Sequence, residues 1–183
     1  MRVIAGSARG RALVAPAGRR TRPTADRVRQ AVFNILGAVE GSRCLDLFAG
    51  TGGMAIEALS RGAAEAVLVE KDPGALRAIR ANLSRLGWEE RARVLPRDVF
   101  WALSRLDRRG ERFDLIFLDP PYERGLVART VSAAARLLAE GGRMVVEHSR
   151  RELPGEEGLR RLRRATYGDT VVSIYSVAEE QDA

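Results

Sequence analysis

The sequence predicts a single α/β domain built on a doubly wound, mostly parallel sheet. From residue 43 onward, short apolar runs alternate with stretches whose apolar residues recur at helical spacing. The apolar runs lack the polar alternation of strands with one wet face, so we expect helices to cover both faces of their sheet. The length of 183 residues and the hydrophobic content of 45% fit one such domain.

Five strands are predicted in this sheet, and a helix follows each of the first four. In chain order, strands and helices are expected at 43–50, 53–61, 64–72, 73–86, 91–98, 99–108, 113–122, 125–139 and 142–149. Residues 164–166 and 170–177 are expected to add an antiparallel hairpin joined around Tyr167-Gly168-Asp169. The predicted sheet is therefore parallel except at its C-terminal end.

A smaller structure is expected before the sheet. Residues 3–5 and 11–14 are predicted to pair as a hairpin that carries Arg9 and Arg11 near its tip. A helix with an apolar stripe is expected to follow at about 23–36.

Net charge is concentrated in the N-terminal quarter. The chain has a formal charge of +7, and residues 1–43 hold nine arginines against two acids. Genome composition or thermophily would explain why arginine replaces lysine, but not why the excess charge is confined to one segment. We therefore expect residues 1–40 to form a basic extension that contacts a polyanion, and residues 41–183 to form the main domain.

The composition disfavours membrane, secreted and metal-binding proteins. No apolar run reaches the roughly 18 to 20 residues of a membrane span, and the N-terminus does not resemble a signal peptide, so a cytoplasmic protein is expected. Cys44 has no second cysteine to pair with, and His148 is the single histidine. Neither a disulfide nor a zinc site is therefore expected.

A glycine-rich turn follows the first predicted strand. The segment 46–53 reads DLFAGTGG and leads into a helix, at the sheet edge where doubly wound folds bind ligands. Gly50, Gly52 and Ala55 also fit the dinucleotide pattern G-x-G-x-x-A, with Glu70 placed to hold ribose hydroxyls. A nicotinamide-dependent dehydrogenase is therefore an alternative.

Four carboxylates end successive predicted strands: Asp46, Glu70, Asp98 and Asp119. Because the carboxyl ends of parallel strands meet at one edge, we expect all four to surround one crevice. Their charge favours a ligand with cationic groups, such as the sulfonium and amino groups of S-adenosylmethionine, over a doubly anionic pyrophosphate. In the alternative interpretation, Asp46 and Asp98 only cap the helices that follow them.

Asp119-Pro120-Pro121-Tyr122 is the most specific pattern in the sequence. Two consecutive prolines fix the backbone and remove two N–H donors, so the edge offers only acceptors, the Asp119 carboxylate and the Pro120 carbonyl. Such an edge suits an exocyclic NH2 group, because both hydrogens are accepted while the nitrogen faces an electrophilic methyl. Tyr122 would give the base a stacking face worth about 1–3 kcal/mol. The alternative is a plain strand-ending turn.

Taken together, these patterns resemble a known family. The chain is similar to class I S-adenosylmethionine-dependent methyltransferases that act on amino groups, and most of all to the bacterial 16S rRNA (guanine-N2) methyltransferases of the RsmD family. The segments most specific to this family are RPTADRVRQAVFNIL and EALSRGA. The other matching segments are RVIAGSARGRAL (2–13), CLDLFAGTGGMAIEALSRGA (44–63), VLVEKD (67–72), FDLIFLDPPY (113–122), EGGRMVVEH (140–148) and YGDT (167–170).

The resemblance implies a role for each matching residue. The target amine would be held by Asp119, Pro120, Pro121 and Tyr122. S-adenosylmethionine would be bound by Arg22, Thr24, Asp46, Phe48, Ala49, Gly50, Gly52, Glu70, Lys71, Asp98 and Val99. Of these, Arg22 and Thr24 would close over it from the N-terminal extension, residues 1–40. RNA phosphates would be contacted by Arg9, Arg11, Arg19, Arg20 and Arg27.

The implied reaction is direct in-line transfer of a methyl group to N2 of a guanine in 16S rRNA, with S-adenosylhomocysteine as product. The substrate would be rRNA in an assembling small subunit, and the enzyme is taken as a monomer. Two alternatives stay open: a DNA adenine-N6 methyltransferase, and an RNA-binding assembly factor with an idle site. We expect His148 to pack beside the base pocket rather than to act as a general base.

Overall fold

The structure is a computed structural model that describes residues 1–15, 23–121 and 125–178, without the side chains of residues 23–25. Five of the predicted site residues fall outside this description. They are Arg19, Arg20, Arg22 and Tyr122, together with the side chain of Thr24.

Helices and strands alternate from residue 43 onward, as the sequence predicts. The helices are α1 (Pro23–Leu36), α2 (Gly53–Ser60), α3 (Pro73–Leu86), α4 (Val99–Arg108) and α5 (Leu126–Ala135), with a 3₁₀ turn at Glu89–Arg91. The strands are β1 (Arg43–Leu47), β2 (Glu65–Glu70), β3 (Ala92–Pro96), β4 (Phe113–Leu118), β5 (Leu138–Ser149), β6 (Leu159–Tyr167) and β7 (Thr170–Val177).

These strands form one sheet in the order β3-β2-β1-β4-β5-β7-β6. The first five are parallel, and β7 and β6 are antiparallel to their neighbours. The predicted doubly wound fold with a C-terminal antiparallel hairpin is therefore confirmed. The chain builds outward from β1 to β3 and then returns to place β4 beside β1, so a crevice forms between their carboxyl ends.

Helices cover both faces of the sheet. On one face, α1 to α3 and the N-terminal segment pack through residues such as Val32, Phe33 and Ile56, which are buried. On the other face, α4 and α5 pack through residues such as Leu106 and Val131. We call the first the α1 face, since it carries α1 and the N-terminal segment. Residues 1–15 share the core of this face through Val3, Ala8 and Leu13.

The N-terminal hairpin is smaller than expected. Its two arms meet at one isolated bridge between Arg2 and Ala12. The N–H groups of Ile4 and Ala5 instead donate to the buried Glu57 carboxylate on α2, at 2.8 and 3.0 Å. Because these two N–H groups donate to α2, they are not available to the ladder between the arms, which stays short. The same hydrogen bonds attach the N-terminal segment to the main domain.

Several boundaries differ from the prediction by three residues or more. β1 ends at Leu47 rather than 50, and β4 ends at Leu118 rather than 122. Helix α5 ends at Ala135 rather than near 139, β5 begins at Leu138 rather than 142, and β6 begins at Leu159 rather than 164. The β4–β5 register shifts after Phe113, so the glycines that follow residue 140 lie within an irregular strand rather than before it. In β6, consecutive arginines hide the alternation by which a strand is recognised.

No helix in residues 1–15, 23–121 and 125–178 has the length and apolar character that crossing a bilayer requires. Within the same residues, no group of three or more Asp, Glu, His or Cys side chains is arranged to hold a metal ion.

Candidate active site

A cavity of about 760 Å³ opens at the carboxyl ends of the parallel strands, and a second of about 230 Å³ adjoins it. Five residues line both: Val28, Phe48, Gly50, Asp119 and Glu147. The volumes suit a small-molecule ligand. Of the predicted site residues, the larger cavity has on its wall Phe48, Gly50, Glu70, Lys71, Asp98, Val99, Asp119, Pro120 and Pro121, and the smaller one adds Asp46 and Ala49.

The glycine-rich turn owes its shape to unusual backbone angles. Phe48 has a φ of 63°, the single positive φ at a residue other than glycine in the described chain. Such strain concentrates at ligand sites. Gly52 has a φ of 81° and is not on the cavity wall: a Cβ there would come within 3.0 Å of the Leu68 side chain. Gly52 thus lets the turn pack against β2, while Gly50 faces the cavity.

Asp46 lies at the base of the smaller cavity and is almost completely buried. Its Oδ2 accepts a hydrogen bond of 3.1 Å from the backbone N–H of Ala55 in the first turn of α2. Burial, reinforced by the negative charge of Glu70, raises the pKa of Asp46 to about 7 although the Ala55 hydrogen bond opposes this. A cationic ligand next to this buried carboxyl group would strongly stabilise its ionised form.

Glu70 holds together the backbone on one side of the larger cavity. Its Oε2 accepts from Gly50 N–H at 2.8 Å, and its Oε1 accepts from Lys71 N–H at 2.7 Å and Asp72 N–H at 2.8 Å. One carboxylate therefore ties the glycine turn to the end of β2.

Asp98 has two functions in the structure. It caps α4 by accepting from Phe100 N–H at 2.9 Å, and it lies on the cavity wall 3.6 Å from the Lys71 ammonium. Asp46 likewise bonds to the first turn of α2 and faces a cavity. Capping and facing the ligand site thus coexist at both residues.

Asp119 and Glu147 stand side by side at the ends of β4 and β5. Each directly follows one member of the register pair Leu118 and Val146, so the two lie on adjacent strands roughly 4.8 Å apart. Both side chains line both cavities. Desolvation by the surrounding protein raises the pKa of Asp119, and the negative charges of Glu147 and Asp46 raise it further. No described residue donates a hydrogen bond to Asp119.

Pro120 and Pro121 complete an edge without backbone N–H donors, and both lie on the wall of the larger cavity. The predicted acceptor edge therefore faces the ligand cavity, next to the carboxylates of Asp119 and Glu147. Tyr122, the predicted stacking residue, is outside the described residues.

Sequence reasoning missed part of the wall. Glu147 and the β6–β7 turn (Tyr167, Gly168, Asp169 and Thr170) line the larger cavity, as does Arg97. The turn belongs to the YGDT segment, which resembles the family but to which the sequence alone assigns no role. Only the sheet order, which folds β7 back against β5, shows that it reaches the site.

His148 and Cys44 take no part in the cavity wall. His148 is buried, with Nδ1 bonded to Ser149 O at 2.8 Å and Nε2 bonded to Ser173 Oγ at 3.0 Å, and burial lowers its pKa. It follows Glu147 in β5 and so points to the opposite face, not beside the base pocket as expected. Burial raises the pKa of Cys44 to about 12, as suits a core residue.

The N-terminal arginines divide into exposed and internal groups. Arg9, Arg11 and Arg27 are exposed, and none lies on the cavity wall. Arg29, by contrast, is buried and pairs with Asp26 at 3.2 Å, and Arg43 pairs with Glu65 and with Glu111. The net charge of the segment therefore overstates how many of its arginines face solvent.

Comparison with known proteins places the chain in a family. Residues 1–176 match the family model described as Conserved hypothetical protein 95 (Cons_hypoth95). YlbH of Bacillus subtilis, a candidate rRNA methyltransferase, is 46% identical over 180 residues, which cover 96% of this chain and 98% of that protein.

Two further relatives agree. Ribosomal RNA small subunit methyltransferase D of Escherichia coli K12 is 41% identical over 133 residues, which cover 72% of this chain and 65% of that protein. The solved structure of yhhF of Escherichia coli, a candidate methyltransferase, is 34% identical, with a TM-score of 0.84 and coverage of 97% of both chains. The chain therefore belongs to the Cons_hypoth95 family, the RsmD family that its sequence resembles, and has a methyltransferase fold.

Proposed function

We propose that this protein transfers the methyl group of S-adenosylmethionine to N2 of a guanine in 16S rRNA. One observation carries the proposal: a donor-free edge, Asp119 to Pro121, borders a cavity lined by carboxylates. The names of its relatives, which act on rRNA, support RNA as the substrate class. We extend the proposal to a cytoplasmic monomer acting on an assembling small subunit, with residues 1–40 as a basic RNA-binding extension.

The charge of the larger cavity suits S-adenosylmethionine. Its wall carries two basic residues, Lys71 and Arg97, against six carboxylates. The carboxylates belong to Glu70, Asp72, Asp98, Asp119, Glu147 and Asp169. A sulfonium and an amino group would be stabilised there, whereas a dinucleotide would bring two further negative charges. This disfavours the dehydrogenase alternative.

The described residues fit each part of the cofactor. Asp46, Phe48, Ala49 and Gly50 would bind its methionine part, Glu70 and Lys71 its ribose, and Asp98 with Val99 its adenine. Gly52 would act by allowing the turn its shape. When bound, S-adenosylmethionine supplies a methyl group on a positively charged sulfur, which is the driving force of the transfer.

The chain itself would position the amine and remove its proton. The Asp119 carboxylate and the Pro120 carbonyl each accept a hydrogen bond from one of the two hydrogens on N2. These two hydrogen bonds direct the nitrogen toward the methyl group. The nitrogen becomes acidic when it gains the methyl, and Asp119 then accepts the released proton. Because the base must leave its stack to reach this edge, it is flipped or already unpaired.

Glu147 favours guanine over adenine. The Watson–Crick edge of guanine has two neighbouring donor groups, N1–H and N2–H2, whereas that of adenine has a donor at N6 beside an acceptor at N1. With Asp119 and Pro120 at the amine, the Glu147 carboxylate would accept N1–H of guanine but would repel the N1 lone pair of adenine. An edge made only of acceptors thus matches guanine.

Labelled-methyl transfer onto naked 16S rRNA, assembling small subunits and duplex DNA tests the proposal, with nucleoside analysis of each product. We expect N2-methylguanosine in one of the two RNA substrates and no label in DNA. Label found as N6-methyladenine would assign the protein to the DNA alternative. An absence of transfer to all three substrates, despite cofactor binding, would favour an assembly factor with an idle site.

A further inference from the structure

The edge strand β6 carries a second group of arginines outside the cavity. Arg160, Arg161, Arg163 and Arg164 fall within five residues, and all four are exposed. In the described chain β6 has a neighbour on one side only, β7. Its last residue, Tyr167, lies on the wall of the larger cavity. The strand therefore leads from solvent to the site.

A bulge sorts these arginines onto two faces. Arg160 and Arg163 pair with alternate residues of β7, Ser176 and Ile174, because the register shifts just before Arg163. Directly opposed residues of an antiparallel pair share a face. Ile174 belongs to the core of the α1 face, so Arg160 and Arg163 lie on that face, in one row with Tyr167.

The other two arginines point away from the site. Arg161 pairs in register with Tyr175, whose side chain packs in the opposite core, and it forms a salt bridge of 2.6 Å with Glu156. Arg164 is opposite Ser173, the residue whose hydroxyl bonds to His148. The strand thus carries two arginines on the cavity side and two on the far side.

The row on the cavity side is continuous with the site. The paired positions on β7 run from Thr170 to Ile174 and Ser176, so at a rise of roughly 3.3 Å per residue Arg163 lies about 13 Å and Arg160 about 20 Å from Tyr167. No salt bridge to a described residue occupies either side chain. A nucleotide held at Asp119 would therefore bring the phosphates of its neighbours past this row.

We propose that Arg160 and Arg163 form an RNA-docking row that binds the phosphates flanking the target nucleotide. The inference rests on the proposed function, and it identifies the surface from which the RNA enters. Guanidinium groups bind phosphate with two N–H bonds, and an unpaired strand edge offers further backbone donors to the RNA. The occupant is single-stranded RNA, because the target base must be unstacked.

The far-side arginines provide a matched control. The test compares R160Q/R163Q with R161Q/R164Q, two variants that lose the same charge from the same strand. Binding of a fluorescein-labelled 20-nucleotide single-stranded RNA is measured by anisotropy between 50 and 300 mM salt. The KM for 16S rRNA and the Kd for S-adenosylhomocysteine are measured beside it, with thermal melting to verify folding.

We expect R160Q/R163Q to weaken RNA binding about tenfold and to lower the slope of log Kd against log salt by about 1.4, the value for two phosphate contacts on a single strand. KM should rise similarly while S-adenosylhomocysteine binding is unchanged, and R161Q/R164Q should change each value by less than about twofold.

Equal losses in both variants, or no loss in either, would overturn the docking row. A change in oligomeric state with unaltered RNA binding would assign the strand to self-association and would also overturn it. If wild-type protein forms no N2-methylguanosine, the proposed function fails, whereas the comparison between the two faces of β6 still stands.

Discussion

On the β1–β2–β3 side of the cavity, every predicted carboxylate accepts a hydrogen bond from the backbone: Asp46 from Ala55, Glu70 from Gly50, and Asp98 from the first turn of α4. On the β4–β5 side, no described residue donates a hydrogen bond to the Asp119 carboxylate. Desolvation and the neighbouring negative charges raise the pKa of this group. The same chemical group therefore serves two purposes. In the proposed function, the bonded carboxylates would build the walls of the cofactor site, whereas Asp119 would keep its acceptor oxygens for the substrate.

The largest effect is expected from Asp119→Ala, which removes the acceptor on the substrate side. Methyl transfer should fall by about 10³-fold, the scale of losing both amine positioning and a proton acceptor. The Kd for S-adenosylhomocysteine, measured by titration calorimetry, should change less than about threefold. Asp114→Ala, at the other end of β4, is the control and should retain transfer. A large loss of cofactor affinity in Asp119→Ala would erase the division between the two sides.

Asp46→Asn should gain stability at the expense of cofactor binding. In the folded state the pKa of Asp46 is raised to about 7, so ionisation of the buried carboxyl group destabilises the protein increasingly as pH rises from about 4 to 7. The variant should match wild type at pH 4 and exceed its free energy of unfolding at pH 8 by about 2–4 kcal/mol.

Cofactor affinity is the second readout for Asp46→Asn. Asparagine can still accept the hydrogen bond from Ala55 N–H, but it has no negative charge to attract a cationic ligand. S-adenosylmethionine binding should weaken about tenfold at pH 8, and wild-type affinity should rise between pH 6 and 8 as the carboxyl ionises. A variant less stable than wild type at pH 8, measured by urea unfolding, would contradict this account of Asp46.

Glu70→Ala should damage the wall of the cofactor site. It leaves three backbone N–H groups without their acceptor, which costs about 1–3 kcal/mol of stability, and cofactor affinity should fall by about 10- to 100-fold. Glu70→Gln retains one acceptor oxygen, which can serve Gly50 N–H or the Lys71 and Asp72 N–H groups but not both, so it should recover only part of the stability in thermal melts and not the affinity. Unchanged cofactor binding in both variants would show that the turn holds its shape without Glu70.

Of the four variants, Glu147→Gln on the substrate side is expected to have the smallest total effect in free energy, since it should change neither stability nor cofactor affinity. Glutamine keeps the shape but loses the charge that accepts guanine N1–H, so kcat/KM for the RNA substrate should fall about 10- to 30-fold with cofactor affinity unchanged. Glu140→Gln, an exposed position on the same strand, is the matched control. Wild-type rates in Glu147→Gln would remove Glu147 from guanine recognition.

The cofactor side was more predictable from sequence than the substrate side. Asp46 lies within the first apolar run, Glu70 ends the second and Asp98 comes two residues after the third, and the parallel arrangement of those runs dictates that their ends meet. Glu147 lies at the end of the apolar run of β5, a strand parallel to β4, and only the order of the strands places it beside Asp119. Asp169 reaches the same cavity through the antiparallel turn between β6 and β7, and no local pattern indicates it. Strand order is a property of the whole chain, so residues that it brings together can be predicted only with the topology.

The fold shows the same limit. Apolar strands such as β2 and amphipathic helices such as α3, observed at Pro73–Leu86, were predicted almost to the residue. The N-terminal hairpin and the start of β6 were not, since their pairing is decided by tertiary partners. Glu57 takes the donors of Ile4 and Ala5, and β7 supplies the partner that makes an arginine-rich segment into a strand.

A crystal structure with S-adenosylhomocysteine and a guanosine ligand would test the central claim most directly, through the distance between the cofactor sulfur and the Asp119 carboxylate. In-line transfer requires the amine to lie between them, at about 3 Å from the carboxylate and in line with the methyl group, which predicts a distance of about 6–8 Å. A sulfur more than about 10 Å away, or an Asp119 carboxylate turned from the base toward solvent, would contradict the account.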